Sequence, residues 1–231
     1  MNLEKNLKDA KKAKKNKAKK PNFFFYNLVK ITAAIPILLF LRPKLLYFSG
    51  KAKKHKKGVL IVANHKSFYD PVLLLTAFWY RNLSIVTSKE LFKSKLGGLF
   101  FRSVNTIMVD KENPSSAVVF TVSKRLKSDS AVAIFPEGGI NDTDQDVKNF
   151  KSGAVVMAHL GKKPILPVYL VKGKKWYNRN YVVIGEEIDL KDIFTESPSK
   201  EDIERASVYI KEKEMELSKY FYQKYPKLKN R

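Results

Sequence analysis

Apolar residues in this chain fall into two textures. From Phe23 to Phe48 they form one dense stretch, FFFYNLVKITAAIPILLFLRPKLLYF, and beyond Lys57 they break into short β-branched runs and helically spaced segments. The runs Val59–Ala63 (VLIVA), Leu83–Thr87, Thr106–Val109, Ala131–Phe135, Ile165–Leu170 and Tyr181–Ile184 read as strands. Helices are predicted over Pro71–Tyr80, Ser115–Lys127 and Gly153–Leu160, with a shorter one near Leu91–Phe101. From Ser199 to about Tyr222 the pattern is that of an amphipathic helix. Ser199 and Asp202 form its cap, and Ile203, Ala206, Ile210, Leu217 and Phe221 form its apolar stripe. Strands alternating with helices predict an α/β fold with a single mixed, largely parallel sheet flanked by helices.

The dense stretch does not read as one membrane-crossing helix. Lys30 interrupts it, Pro36 breaks it near its middle, and Arg42, Pro43 and Lys44 close its best run. Two helices of about 12 residues, each about 18 Å long, fit a hairpin that dips into one leaflet and returns. A hydrophobic helix buried against the domain is the alternative. The distribution of charge favours the hairpin. The chain carries 45 Lys and Arg against 22 Asp and Glu, a formal net charge of +23. Seventeen of the basic residues lie within residues 1–57, opposed there only by Glu4 and Asp9, and they flank the apolar stretch as Lys11–Lys20 and Lys51–Lys57. Positive residues stay inside, so both ends face the cytoplasm, and a juxtamembrane lysine is worth roughly 1 kcal/mol on an anionic leaflet. Nucleic acid also attracts such a charge. No recognition motif accompanies the lysines, however, so the expected partner is an anionic phospholipid surface and not nucleic acid. Three units follow: a basic tail over 1–22, a membrane-associated helical hairpin with its basic linker over 23–57, and a folded domain over 58–231.

Cysteine is absent, which excludes disulfides, thiolate zinc sites and cysteine nucleophiles. In open α/β sheets ligands bind beyond the carboxyl ends of strands, and two of these ends carry unusual residues. After VLIVA comes Asn64-His65-Lys66-Ser67-Phe68-Tyr69-Asp70-Pro71, and after AVAIF comes Pro136-Glu137-Gly138-Gly139. A tight loop would fold Asp70 back onto the His65 ring. A carboxylate on one ring nitrogen fixes the tautomer and leaves the other nitrogen to take a proton from a hydroxyl nucleophile. Asp70-Pro71 is equally an ordinary helix start, with Asp as cap and Pro at the first position. The Glu-Gly-Gly run is equally a plain turn. His55, in a lysine run, and His159, in a helix, read as structural.

The order of these blocks decides between the readings. Asn64-His65-x4-Asp70, the approach Ser88-Lys89-Glu90-Leu91-Phe92 with Gly97-Gly98, a strand ending in Asp110-Lys111, Phe135-Pro136-Glu137-Gly138 and Ile165-Leu166-Pro167-Val168 follow one another across residues 59–170. Together they resemble the glycerolipid acyltransferase family, and within it the bacterial branch that acylates 1-acylglycerol 3-phosphate. The resemblance implies that His65, oriented by Asp70, is the general base on the free hydroxyl of lysophosphatidic acid. That hydroxyl attacks a thioester of acyl carrier protein or coenzyme A, and phosphatidic acid forms with no acyl-enzyme. It also implies substrate-binding roles for Asn64, Lys111, Glu137, Gly138 and Gly139. Oxyanion donors would come from amides near His65 or in the Gly138-Gly139 turn. The resemblance calls for no metal or other cofactor, and it places the enzyme on the cytoplasmic membrane with its site facing the cytoplasm.

The sequence departs from the family pattern at two places. The third block normally continues Thr-Arg-Ser, whereas Gly139-Ile140-Asn141 stands here, so the Arg associated with the acceptor phosphate is missing. In the second block Asn105 and Lys111 replace a Gly and an Arg. Lys111, with Arg102 or Lys151, is the expected substitute cation. A different acceptor, such as another lysophospholipid or glycerol 3-phosphate, and an inactive membrane scaffold on the same fold are the alternatives. Asp142, Asp144 and Asp146 imitate the start of a calcium loop, but Val147 and Gly153 stand where its glycine and closing glutamate belong, so a solvated acidic loop is expected.

Overall fold

The structure is a computed structural model that describes residues 41–89, 105–110, 116–143, 145–173, 179–194 and 197–229. Seven strands lie in it: β1 (Lys44–Tyr47), β2 (Val59–Ala63), β3 (Ser84–Ser88), β4 (Ile107–Val109), β5 (Ala131–Ile134), β6 (Ile165–Val171) and β7 (Tyr181–Ile184). The helices are α1 (Asp70–Ala77), α2 (Ser116–Lys127), α3 (Gly153–Gly161) and α4 (Lys200–Lys224). They form one mixed sheet in the order β1-β7-β6-β2-β5-β3-β4. The block from β6 to β4 is parallel, β7 runs antiparallel to β6, and β1 is parallel to β7.

β2 shows why the sheet forms. All five of its residues are buried, as expected for a parallel strand covered on both faces. Successive side chains alternate between faces. Val59, Ile61 and Ala63 pack with α1, β5 and β6 residues on one side, while Leu60 and Val62 pack with Val122, Leu126, Val155 and Ala158 of α2 and α3 on the other. Among the described residues the expected strands and helices occur with boundaries moved by a residue or a few, and the largest change is α1, which ends at Ala77 rather than Tyr80. α4 begins with the expected reciprocal cap. Ser199 Oγ accepts from the Asp202 amide at 3.1 Å, and Asp202 Oδ2 accepts from the Ser199 amide at 2.9 Å.

The sequence reading needs one correction. Lys44–Tyr47, assigned there to the hairpin, is the edge strand β1, with Lys44 opposite Tyr181 and Tyr47 opposite Ile184. Leu46 is buried among Tyr169, Val183, Leu217 and Phe221. The basic linker is also attached to the domain: buried His55 meets Glu187 at 2.5 Å, its amide donates to the Tyr80 hydroxyl, and Arg81 donates to its carbonyl. The folded domain therefore begins before residue 58. Residues 1–40, and with them most of the expected hairpin, lie outside the described residues, as does the helix expected near Leu91–Phe101. Among the described residues no helix is long and apolar enough to cross a membrane.

Candidate active site

β2 delivers Asn64 and His65 to the carboxyl edge of the sheet, and the chain then turns into α1. Asp70 opens that helix but sends its carboxylate backwards. Its Oδ2 accepts from His65 Nδ1 at 2.9 Å and from the amides of Lys66 and Ser67, each at 2.7 Å. Asp70 is buried, while the His65 side chain keeps 17% of its surface exposed. Phe135, just past β5, stacks on the imidazole with centroids 4.2 Å apart and planes 20° apart. The ring is thus fixed by a carboxylate at one nitrogen and by an aromatic face, which leaves Nε2 for the cavity that His65 lines.

The neighbouring residue does not reach that cavity. Asn64 is fully buried; its Nδ2 donates to the Leu170 carbonyl at 3.0 Å, and its Oδ1 accepts from the Leu170 amide at 2.7 Å. Both polar ends are therefore engaged by the backbone of β6. This geometry makes Asn64 a clamp between the end of β2 and β6.

Glu137 sits behind the histidine, with Oε1 accepting from the His65 amide at 3.2 Å and Oε2 buried without a hydrogen-bond partner among the described residues. Burial raises its pKa above the ordinary carboxylate value, opposed by the amides of His65 and Lys148 and by the charge of Lys66. A second carboxylate appears here that the sequence reading did not single out. Glu214, fully buried on α4, accepts from the Asn64 amide at 2.7 Å. Its pKa is pushed well up, first by burial and then by the charge of Glu137. Glu214 lies between Ile210 and Leu217 on the buried stripe of its helix, and a carboxylate at a stripe position was the signal available in the sequence.

The loop from Pro136 to Lys151 closes the other side. Gly138 has φ +76°, a conformation L side chains avoid, and a Cβ there would lie 2.8 Å from Cε and 2.9 Å from Nζ of Lys151. Lys151 is anchored by its amide, which donates to the Pro136 carbonyl at 3.0 Å, and its exposed side chain crosses the bare face of Gly138. Among the described residues no carboxylate pairs with it. The other two lysines of the loops are engaged. Lys66 Nζ donates to the carbonyls of Thr143 and Gln145, and Lys148 pairs with Asp142 at 2.9 Å. Gly139 has open space around its α-carbon, and its amide donates to no acceptor among the described residues. Asp146 of the acidic run accepts from Ser218 on α4 at 2.7 Å, so it and Asp142 serve different partners; Asp144 lies outside the described residues.

These groups border a cavity of about 380 Å³ that runs from His65, Gly138, Gly139 and Lys151 to an apolar interior lined by Val86, Val118, Ile134, Ala154 and Met157. A larger hollow of about 620 Å³ lies beside Glu187, Asp189 and Arg205 and contains none of the groups able to move a proton at His65. Lys111 and Arg102 lie outside the described residues. Asn105 explains one departure from the family pattern: its φ is +58°, a conformation that Gly takes freely and Asn tolerates. Its Oδ1 and carbonyl both accept from Arg125, at 2.8 and 3.1 Å.

A mostly parallel sheet thus carries a His–carboxylate pair at its carboxyl edge, beside a cavity with an apolar interior. Residues 46–171 match the acyltransferase family model, and the chain belongs to that family. A 1-acyl-sn-glycerol-3-phosphate acyltransferase of Bacillus subtilis (strain 168) is 31% identical over 173 residues, covering 73% of this chain and 85% of that protein. One from Streptococcus pneumoniae is 29% identical over 151 residues, covering 63% of this chain and 55% of the relative. The crystal structure of the 1-acyl-sn-glycerophosphate acyltransferase of Thermotoga maritima shares the fold, with a TM-score of 0.56 at 20% identity, over 78% of this chain and 73% of that one.

Proposed function

We propose that this enzyme transfers a fatty acyl group from an acyl thioester to the free hydroxyl of a 1-acylglycerol 3-phosphate, forming phosphatidic acid for phospholipid synthesis. The observation that carries the reading is the His65–Asp70 pair opening onto an apolar cavity, with Lys151, which has no carboxylate partner among the described residues, at its mouth. His65 Nε2 takes the hydroxyl proton as the oxygen attacks the thioester carbonyl. The tetrahedral oxyanion is met by the Gly139 amide, which is unspent among the described residues, and preorganised donors of this kind are a large part of such catalysis. Collapse breaks the carbon–sulfur bond, and the thiolate leaves with the proton that His65 returns. Acyl carrier protein and coenzyme A are the candidate donors, and the chemistry at His65 is the same for both.

Lys151 is the cation we assign to the acceptor's phosphate in place of the missing Arg. The exposed apolar side chains Phe68, Tyr69 and Ile140 stand on the two loops that frame the site. They support a rim that sits at the headgroup level of the cytoplasmic membrane, where a lysolipid presents its hydroxyl. The deciding experiment presents lysophosphatidic acid, lysophosphatidylethanolamine and glycerol 3-phosphate in mixed micelles, each with both classes of thioester, beside a His65→Ala control. Phosphatidic acid formed only by the wild type is the expected result. Acylation of another acceptor moves the substrate and keeps the mechanism, and no transfer from any pair sinks the enzyme reading.

A further inference from the structure

Two successive backbone amides at the catalytic edge are held by two different carboxylates from distant parts of the chain. The His65 amide donates to Glu137, from the loop after β5, and the Asn64 amide donates to Glu214, from the middle of α4. We infer that Glu214 is a positioning residue for the reaction, and that α4 sets the placement of the His65–Asp70 pair through the Asn64 amide. The inference rests on the functional reading above for its catalytic consequence, and on geometry alone for the placement.

The energetics support a specific role over plain packing. Glu214 has no exposed surface, sits on the stripe that buries Ala206, Ile210, Leu217 and Phe221, and leaves Oε2 without a partner among the described residues. An apolar side chain there would continue the stripe and avoid burying a carboxyl group, which is costly unless it is hydrogen-bonded. What Glu214 adds is one acceptor, placed 2.7 Å from an amide one residue before the base. Asn64 is held at its side chain by Leu170 and at its amide by Glu214, so the strand end cannot shift without breaking buried hydrogen bonds. Such placement matters because displacements of about 1 Å at a reacting group can cost about 100-fold in rate. Of the groups facing Glu214, Glu137 comes from the loop after β5 and the Asn64 amide from β2. Tyr169 of β6, Ser218 and Tyr222 of α4, and Asp146 form a separate network farther along the helix.

The test compares Glu214→Gln, Glu214→Asp and Glu214→Leu in full-length protein. Gln keeps the acceptor at the same reach, Asp withdraws it by one methylene, and Leu removes it while preserving apolar packing. Two readouts are taken: kcat and KM for the acyl acceptor, and hydrogen exchange of the segment from Val59 to Asp70. The expected result is kcat within about fivefold of wild type for Gln and lower by about 100-fold for Leu and Asp. KM should stay within threefold throughout, and exchange should be faster in Leu and Asp alone. If Leu fails to fold, Gln against Asp decides the same point. Equal kcat in all three variants overturns the inference, as does a loss confined to KM or unchanged exchange in Asp. A wild type that acylates no acceptor sinks the functional reading instead, and the exchange arm then decides the placement.

Discussion

His65–Asp70 and His55–Glu187 are both histidine–carboxylate pairs joined through Nδ1, at 2.9 and 2.5 Å, and their burial is reversed. In the first the carboxylate is inside, 1% exposed, and the imidazole emerges towards the cavity at 17%. In the second the imidazole is inside at 3%, its Nε2 buried without a partner, while the carboxylate is 31% exposed. A proton can reach and leave the first ring. The second pair pins the basic linker against the segment after β7, and Tyr80 and Arg81 of the α1–β3 connection hold the His55 backbone. The lysines differ in the same way: Lys53 lies 3.8 Å from Glu187, whereas Lys151 crosses Gly138 and has no carboxylate partner among the described residues. Which partner is buried decides which ring faces the cavity.

The largest effect expected from this contrast is on rate. His65→Ala should lower kcat by between about 10² and 10⁴, the usual contribution of a general base. His55→Ala should leave kcat within about twofold and cost about 1–3 kcal/mol of stability, because it empties the space of a buried ring beside Phe78 and removes its bond to Glu187. Steady-state kinetics and thermal melts on the two variants check this, and a rate loss in His55→Ala equal to that in His65→Ala would erase the distinction. Next in size are the carboxylates. Asp70→Asn keeps an acceptor for the two amides but removes the charge that orients the ring, and should lose roughly 100-fold in kcat with little change in KM. Glu187→Gln, at a side chain 31% exposed, should change stability by no more than about 1 kcal/mol.

The sequence carried much of this contrast. VLIVA, AVAI and ILPVYLV announce themselves as buried parallel strands, and the spacing from His65 to Asp70 is the span a tight turn needs to bring a helix's first carboxylate onto the ring. KLLY did not read as a strand, because its apolar residues continue the run before them and because its partner, β7, lies far along the chain. Glu214 was missed because an isolated carboxylate in a charged helix looks like surface until the helix is docked. The resemblance gave Asn64 a substrate role, and what the linear order could not show is that the backbone of Leu170 engages both polar ends of its side chain.

Lys151 gives a smaller and more selective effect. Lys151→Ala should lower the ratio of kcat/KM for lysophosphatidic acid over that for a monoacylglycerol by about 10- to 100-fold, the loss of one charge-assisted hydrogen bond. An unchanged ratio would move the phosphate elsewhere. The smallest effect concerns a carboxylate that has no histidine at all. Folding raises the pKa of Glu214 above its model-compound value of 4.5. Its contribution to stability is therefore complete below that value and is lost as pH rises through the folded pKa. Glu214→Gln lacks this loss, so its melting temperature relative to wild type should climb as pH is raised from 4.5 to 8. A flat difference across that range would mean that the carboxylate ionises freely in the folded protein.

The edge strand has one more consequence. Lys44 stands opposite Tyr181, Tyr181 stands opposite Val171 at the end of β6, and β2 delivers His65 at that same end of the sheet. The chain coming from residues 1–40 thus joins the domain on its reactive side and runs away from it along β1, over roughly 13 Å. A boat moored at the bow always turns its bow to the quay. Whatever holds the chain where it enters at Leu41 holds this domain by the carboxyl edge of its sheet, the edge at which β2 presents His65, three strands in from β1.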